Sequence, residues 1–228
     1  MATLSSGRGG VGGESELVTG DRMSREEFHR IYAATPDAFH AELIGGIVYV
    51  PSPLKRQHGT HHLVLGGLFA VFAARTPGIE VGDNVTVLLG EDAEPQPDLY
   101  FRLLPESGGQ SRTTDDDYIL GAPELIAEIA HSSRAIDLHA KKDDYARYGV
   151  HEYLVVTVRE RRLRWFDLRA GRELDVATDG VVRFRTAPGL WVDSIALFAN
   201  DHARAMATLE HGLATPEHAA FVGRLTGR

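Results

Sequence analysis

The chain contains no cysteine, which removes disulfides, thiolate nucleophiles and cysteine-ligated zinc or iron–sulfur centres. Any metal must therefore sit on oxygen or histidine ligands, and the composition fits a reducing compartment. An apolar run long enough to span a bilayer is also missing. The opening stretch MATLSSGRGGVGGESELVTGDRM lacks the charged start and apolar core of a signal peptide, so the expectation is a cytoplasmic protein with no membrane attachment. Basic excess is absent as well: 24 Lys and Arg stand against 32 Asp and Glu, a net charge of −8 that repels polyanions. A locally positive cleft or a bound cation can overcome that repulsion, so the charge counts against nucleic-acid binding without excluding it. Neither a Ser–His–acid order nor a Walker-type phosphate loop stands out. Gly7, Gly9 and Gly12 spell GxGxxG, but no strand precedes them and no amphipathic helix follows closely, as a dinucleotide site requires.

What is present suits one globular domain with tails: 228 residues, 43% hydrophobic and 25% charged. Residues 1–20 are Gly/Ser-rich and read as a disordered tail, 21–198 as the folded domain, and 199–228 as a C-terminal helical extension. Ser24 followed by Glu27 reads as a capping box opening a helix through about Ala34. The segment HAELIGGIVYVPSP reads as a hairpin about Gly45-Gly46. From Gln57 to about Ala74, Leu63, Leu65, Leu68, Phe69, Val71 and Phe72 recur at helical spacing. Strands are expected at 79–89 and 97–103, then ELIAEIA, a helix from Ser133 to Tyr148 ended by Gly149, and a hairpin EYLVVTV/LRWFDLR. Strands near 173–185 and 190–197 should close the sheet, and two helices follow Phe198, the second opening at Pro216.

One interruption in this pattern carries chemistry. Glu128 lies inside ELIAEIA, a strand that reads as buried on both faces, where a charge is costly unless paired or metal-bound. Asp98 heads the apolar run Leu99-Tyr100-Phe101; alone it reads equally as a strand-end cap. Together the two carboxylates form a hard-oxygen site for Mg²⁺ or Mn²⁺, with the carbonyl of Ile129 as a third ligand that strand alternation permits. Leu138, Lys141, Tyr145 and Tyr148 share one helical stripe, so Lys141 faces the sheet while Lys142 points about 100° away. A stem snorkelling its ammonium to water is the ordinary alternative. Asp137, one turn earlier, is placed to pair with Lys141. Two strand carboxylates with an inward lysine suit phosphodiester hydrolysis, the metal polarising a phosphoryl oxygen and the lysine offsetting developing charge.

His58, His61 and His62 open a helix; the spacing of His58 and His61 lacks the glutamate-spaced signature of helical zinc sites, and His58 reads as lining the site entrance, with a solvent-exposed helix start as the alternative. Arg159, Arg161, Arg162 and Arg164 surround a turn and either touch a nucleic-acid backbone or solvate the loop. Asp115, Asp116 and Asp117 read as a solvated loop.

Glu42 in AELIGG, PSP at 51–53, His58, Pro97-Asp98, Glu128 and the run DLHAKKDDYARYGVHEYLVV together resemble the PD-(D/E)XK nuclease superfamily, and within it the Uma-type restriction endonuclease family common in bacteria, over roughly residues 24–198. The resemblance implies an α/β (α+β) fold, a restriction-endonuclease-like mixed β-sheet flanked by helices. It implies a Mg²⁺- or Mn²⁺-dependent endonuclease acting on nucleic acid, with DNA the expected substrate and a homodimer the expected assembly. Asp98 and Glu128 become metal ligands, Lys141 the catalytic lysine and Glu42 an additional acid at the mouth, with His58, Asp137 and Tyr145 as substrate-contacting or supporting residues. Two departures stand out: the superfamily's ExK lysine position holds Ala130, leaving the lysine to the following helix, and His131 replaces a small residue in IAHSSRA. The competing reading is a catalytically silent nuclease fold kept as a binding or assembly module, which the acidic charge and the extra C-terminal helices favour.

Overall fold

A computed structural model describes residues 16–36, 38–51, 53, 55–131 and 133–227. The glycine-rich start and its GxGxxG triplet lie outside the described residues over 1–15. From Leu17 onward the chain is packed, since Leu17 is buried beside Phe28 and Val48 and the Gly20 N–H donates to the Val48 carbonyl at 2.9 Å.

In chain order the elements are α1 (Arg25–Tyr32), β1 (Glu42–Ile44), β2 (Ile47–Tyr49), α2 (Arg56–Ala74), β3 (Ile79–Gly82), β4 (Val87–Leu88), β5 (Leu99–Leu103), β6 (Arg112–Thr113), β7 (Ile119–Leu120) and β8 (Leu125–Ala130). A helical crossover follows, made of α3 (Arg134–Ile136), a π-helical turn (Asp137–Lys141) and α4 (Lys142–Tyr148). Then come β9 (Glu152–Thr157), β10 (Arg162–Asp167), β11 (Arg172–Leu174), β12 (Val181–Arg183), β13 (Trp191–Asp193), α5 (Ser194–Ala199), α6 (His202–Leu213) and α7 (Pro216–Leu225). Six strands form the main sheet in the order β11-β10-β9-β8-β5-β3. Within this sheet β8 and β9 are the parallel pair, the other neighbours being antiparallel, and the helical crossover that joins β8 to β9 supplies the long connection a parallel pair needs. The fold is therefore a mixed α/β sheet flanked by helices.

Alternation along the strands divides the core in two. Leu99, Phe101, Leu125, Ala127, Ile129, Leu154 and Val156 pack under α2 and the C-terminal helices. Tyr100, Ile126, Ala130, Tyr153 and Val155 face the crossover helix through Leu138 and Tyr145. The β1–β2 hairpin turns at Gly45 and Gly46, whose φ values of +56° and +73° favour glycine, and it packs on α1 through Leu43, Val48 and Phe28. Ser24 caps α1, its Oγ accepting the Glu27 N–H at 3.2 Å.

Several local expectations shift. On α2 the inward residues are Val64, Leu65, Leu68, Phe69 and Phe72, whereas Leu63 is 74% exposed. The stretch 79–89 is not one strand, because Asn84 adopts φ +52° and breaks it into β3 and β4. Residues 194–197 are helical rather than extended, forming the start of α5, because Asp193 caps it by accepting the Ala196 N–H at 3.0 Å. Strands β12 and β13 form a separate two-stranded sheet instead of closing the main one. Ser133 does not cap the crossover helix; its hydroxyl donates to Asp137 Oδ2 at 2.6 Å.

Candidate active site

Leu99 pairs with Ala127 across β5 and β8, so the next residues along each strand, Asp98 and Glu128, stand side by side. The Asp98 N–H donates to Glu128 Oε2 at 3.4 Å, and the Ile129 N–H donates to Asp98 Oδ2 at 2.6 Å. Every residue of β8 is buried, and Glu128 is 3% exposed. The crossover helix covers this point. Lys141, in its π-helical turn, sets Nζ 3.0 Å from Glu128 Oε1 and 2.8 Å from Glu42 Oε1. The Tyr145 hydroxyl donates to the same Glu128 oxygen at 2.8 Å. Glu42 arrives from the first strand of the hairpin and also accepts the Gln96 N–H at 2.7 Å. Such π turns break α-helical register and often mark functional positions.

Asp137 is buried but makes no ion pair with Lys141, which turns to Glu42 and Glu128 instead. Its Oδ2 is held by Ser133, its Oδ1 has no hydrogen-bond partner among the described residues, and its backbone carbonyl accepts the Tyr153 hydroxyl at 3.0 Å. Lys142 does point away, its ammonium 5.5 Å from the centre of the Phe166 ring. Tyr148 is half-buried and donates its hydroxyl to Asp92.

From the opposite face of the sheet His58, at the start of α2, reaches the same strand end. Its Nδ1 is 2.9 Å from the Ile129 carbonyl and its Nε2 3.3 Å from Asp98 Oδ1. The Ile129 carbonyl thus sits at the site, with one lone pair engaged by His58. His61 turns instead into the core against Phe198. Of the three histidines whose spacing argued against a zinc site, His62 joins His58 and Asp98 in one group of ligand atoms within 4.8 Å of one another. The signal was available, since His58 and His62 are four residues apart and so share a helical face.

Burial and charge set the protonation of this group. Burial pushes the Glu128 carboxyl well above its ordinary value despite Lys141, and the charges of Asp98, Asp137 and Glu42 push the same way. Burial likewise raises Asp137, to about 6, against the pull of Lys141 and Ser133. Burial also disfavours ionised Asp98, yet His58, the Ile129 N–H and Lys141 outweigh it and hold that carboxyl low. For Lys141 burial is outweighed by Glu128, Glu42 and Asp137, which keep it an ammonium well above its ordinary range. Glu42 and Glu128 thus pair with one ammonium while Asp98 and Asp137 lie within its field, and the excess of enclosed acid, with an Asp137 oxygen that lacks a hydrogen-bond partner among the described residues, fits a bound divalent cation.

The surroundings are less acidic than the whole chain. His131 is half-buried, and its pKa is lowered by burial and by the positive charges of Lys55, Arg159 and His58. The rest of the arginine cluster is engaged within the fold: Arg161 donates to the Phe198 carbonyl at 2.7 Å, and Arg162 and Arg164 pair with Glu173. Asp115, Asp116 and Asp117 are exposed on the turn between β6 and β7. Clefts of about 540 and 460 Å³ lie elsewhere; the second is lined by Arg161, Arg162 and Glu173, and neither includes Glu42, His58, Asp98, Glu128 or Lys141. Among the described residues no helix is long and apolar enough to cross a membrane.

A mixed sheet with acidic side chains at the end of its central strands, faced by a lysine from the crossover helix, defines a nuclease-type fold. Residues 25–196 match the Uma2 family, described as "Putative restriction endonuclease", and the chain belongs to that family. Among solved structures it is similar to "a putative nuclease belonging to DUF820" from Anabaena variabilis ATCC 29413, with a TM-score of 0.62 at 13% identity over 78% of this chain and 98% of the other. At that identity the likeness speaks for the fold alone. A search of curated proteins returns no match.

Proposed function

We propose that the protein is a metal-dependent endonuclease that hydrolyses phosphodiester bonds in DNA. The observation that carries this reading is the meeting of Glu42 and Glu128 on the enclosed ammonium of Lys141, with Asp98 next to Glu128 on the neighbouring strand. Asp98 and Glu128 would hold Mg²⁺ or Mn²⁺, with the Ile129 carbonyl beside them. A divalent ion held there supplies Lewis acidity toward a phosphoryl oxygen and lowers the pKa of water. Lys141, kept charged by its carboxylate neighbours, acts as a hydrogen-bond donor and charge partner for the phosphoryl oxygens rather than as a base. Glu42 and Glu128 fix the direction of its Nζ, and Tyr145 restrains Glu128. Lys55 and Arg159, whose positive charges reach His131 beside the site, offer docking points for backbone phosphates that locally offset the net −8. A homodimer would bring two such sites to the two strands of a duplex.

The test is cleavage of plasmid DNA and oligonucleotides with Mg²⁺ or Mn²⁺. Activity is expected in the wild type and lost in Asp98→Ala and Lys141→Ala, while Glu128→Gln loses Mn²⁺ binding in calorimetry. Inactivity across DNA and RNA substrates, with no Mn²⁺ binding and tight self-association, would favour the assembly-module reading instead.

A further inference from the structure

His58 and His62 lie one helical turn apart on α2, and their rings meet edge to face with centroids 5.8 Å apart. Asp98 faces them from the sheet, completing the three-residue group. Three features mark this group as built. The Nδ1–H of His58 donates to the Ile129 carbonyl at 2.9 Å, a tautomer assigned from the hydrogen-bond network that leaves the ring's lone pair on Nε2. That Nε2 is buried and, among the described residues, has no hydrogen-bond partner, with Asp98 Oδ1 in an ion-pair contact at 3.3 Å. The other Asp98 oxygen is committed to the Ile129 N–H, which holds Oδ1 toward the histidines. Backbone partners that orient an imidazole and a carboxylate in this way are characteristic of metal ligands.

The 3.3 Å gap is informative. Ligand atoms about 2.1 Å from a shared cation lie about 3.0 Å apart at right angles and about 3.4 Å apart at the tetrahedral angle. His62, half-buried, now reaches exposed Asp83 at 3.7 Å, a contact weak enough for a ring rotation toward the ion to replace it.

We propose that His58, His62 and Asp98 form a second cation site, selective for late transition metals such as Co²⁺, Ni²⁺ and Zn²⁺ over Mg²⁺ and Mn²⁺, and sharing only Asp98 with the all-oxygen position at Glu128. Imidazole nitrogens favour Co²⁺, Ni²⁺ and Zn²⁺, whereas Mg²⁺ prefers oxygen. The site does not depend on nuclease activity or on Glu128.

The experiment is a Co²⁺ titration of the full chain, followed by visible absorption and calorimetry, beside a separate Mg²⁺ titration. In His62→Ala, Co²⁺ affinity should fall at least about tenfold, the lower end of what disturbing a ligand's orienting partner costs, and the Co²⁺ bands should change. Mg²⁺ binding should be unaffected. Glu128→Gln should keep the Co²⁺ bands. In the wild type, Co²⁺ should protect His58 and His62 from diethylpyrocarbonate, a readout that needs no variant. Unchanged Co²⁺ affinity and spectrum in His62→Ala, or no protection of the two histidines, would overturn the proposal. A wild type that binds Co²⁺ at these residues but no Mg²⁺ would support it while removing the proposed Mg²⁺-dependent activity.

Discussion

Lys141 is 5% exposed, and both of its ion-pair partners are carboxylates that arrive from other elements. Removing one member of a buried ion pair typically costs about 3–5 kcal/mol, because the other charge is left enclosed without a partner. Lys141→Met should therefore lower stability at pH 7 by about that much in urea unfolding. The Glu128 carboxyl is already held high by burial, so in the variant its protonation should relieve the strain and the deficit should shrink as pH falls toward 5. A deficit that stays constant with pH would point to lost packing. Glu80 responds in the opposite sense. Burial works against its ionisation, but Arg102 and Tyr100 outweigh it and hold its carboxyl below the ordinary value. That contribution is fully present above the unfolded value near 4.5 and is lost as pH falls through the lower folded value. Thermal unfolding of wild type and Glu80→Gln between pH 6 and 3 should show the wild type's advantage disappearing only on the acid side. Because Glu80 is partly exposed, the effect is discounted by solvent screening.

Among the elements, α6 makes an unusual demand on one residue. Alanine normally stabilises a helix interior over glycine by about 1 kcal/mol. At Gly212 an added Cβ would come within 2.3 Å of the Gly189 carbonyl oxygen and 2.7 Å of the Trp191 ring, where α6 lies against β13. Gly212→Ala should thus destabilise by about 1–3 kcal/mol through overpacking, against its helix propensity. Chemical denaturation would check the sign, and a stabilised variant would mean that the α6–β13 contact is loose. The crossover helix shows a comparable dependence on context, since its π-helical turn, and not a uniform α-helix, carries Asp137 and Lys141.

For the molecule as a whole, the helices after residue 198 share the main core: Ala205, Leu209 and Phe221 pack in the cluster that contains Phe72 and Leu197. Their removal would expose apolar surface that costs about 25 cal/mol per Å² to hydrate. A chain ended after Ala199 should unfold at lower denaturant concentration and bind a hydrophobic dye in the absence of denaturant. A truncated chain with an unchanged midpoint and no dye binding would show that these helices contribute little. The same core places α2 under the sheet, and so presents His58 to the strand end where Asp98 lies.

Local pattern was enough for much of this. A single carboxylate in an otherwise apolar strand singled out Glu128, because its burial is costly in any fold. Helical phase turned Lys141 and Tyr145 inward, and the Gly45-Gly46 pair placed the hairpin, since turn geometry depends on adjacent residues. Periodicity reports which face turns inward but not what it meets. The tertiary structure alone brought Glu42 to Lys141, turned Lys141 away from Asp137, and set Asp98 against the face of α2 that carries His58 and His62, whereas the helix at 194–199 follows from the local Asp193 cap. The first three were decided by groups distant in sequence, where packing and long-range charge outweigh local preference.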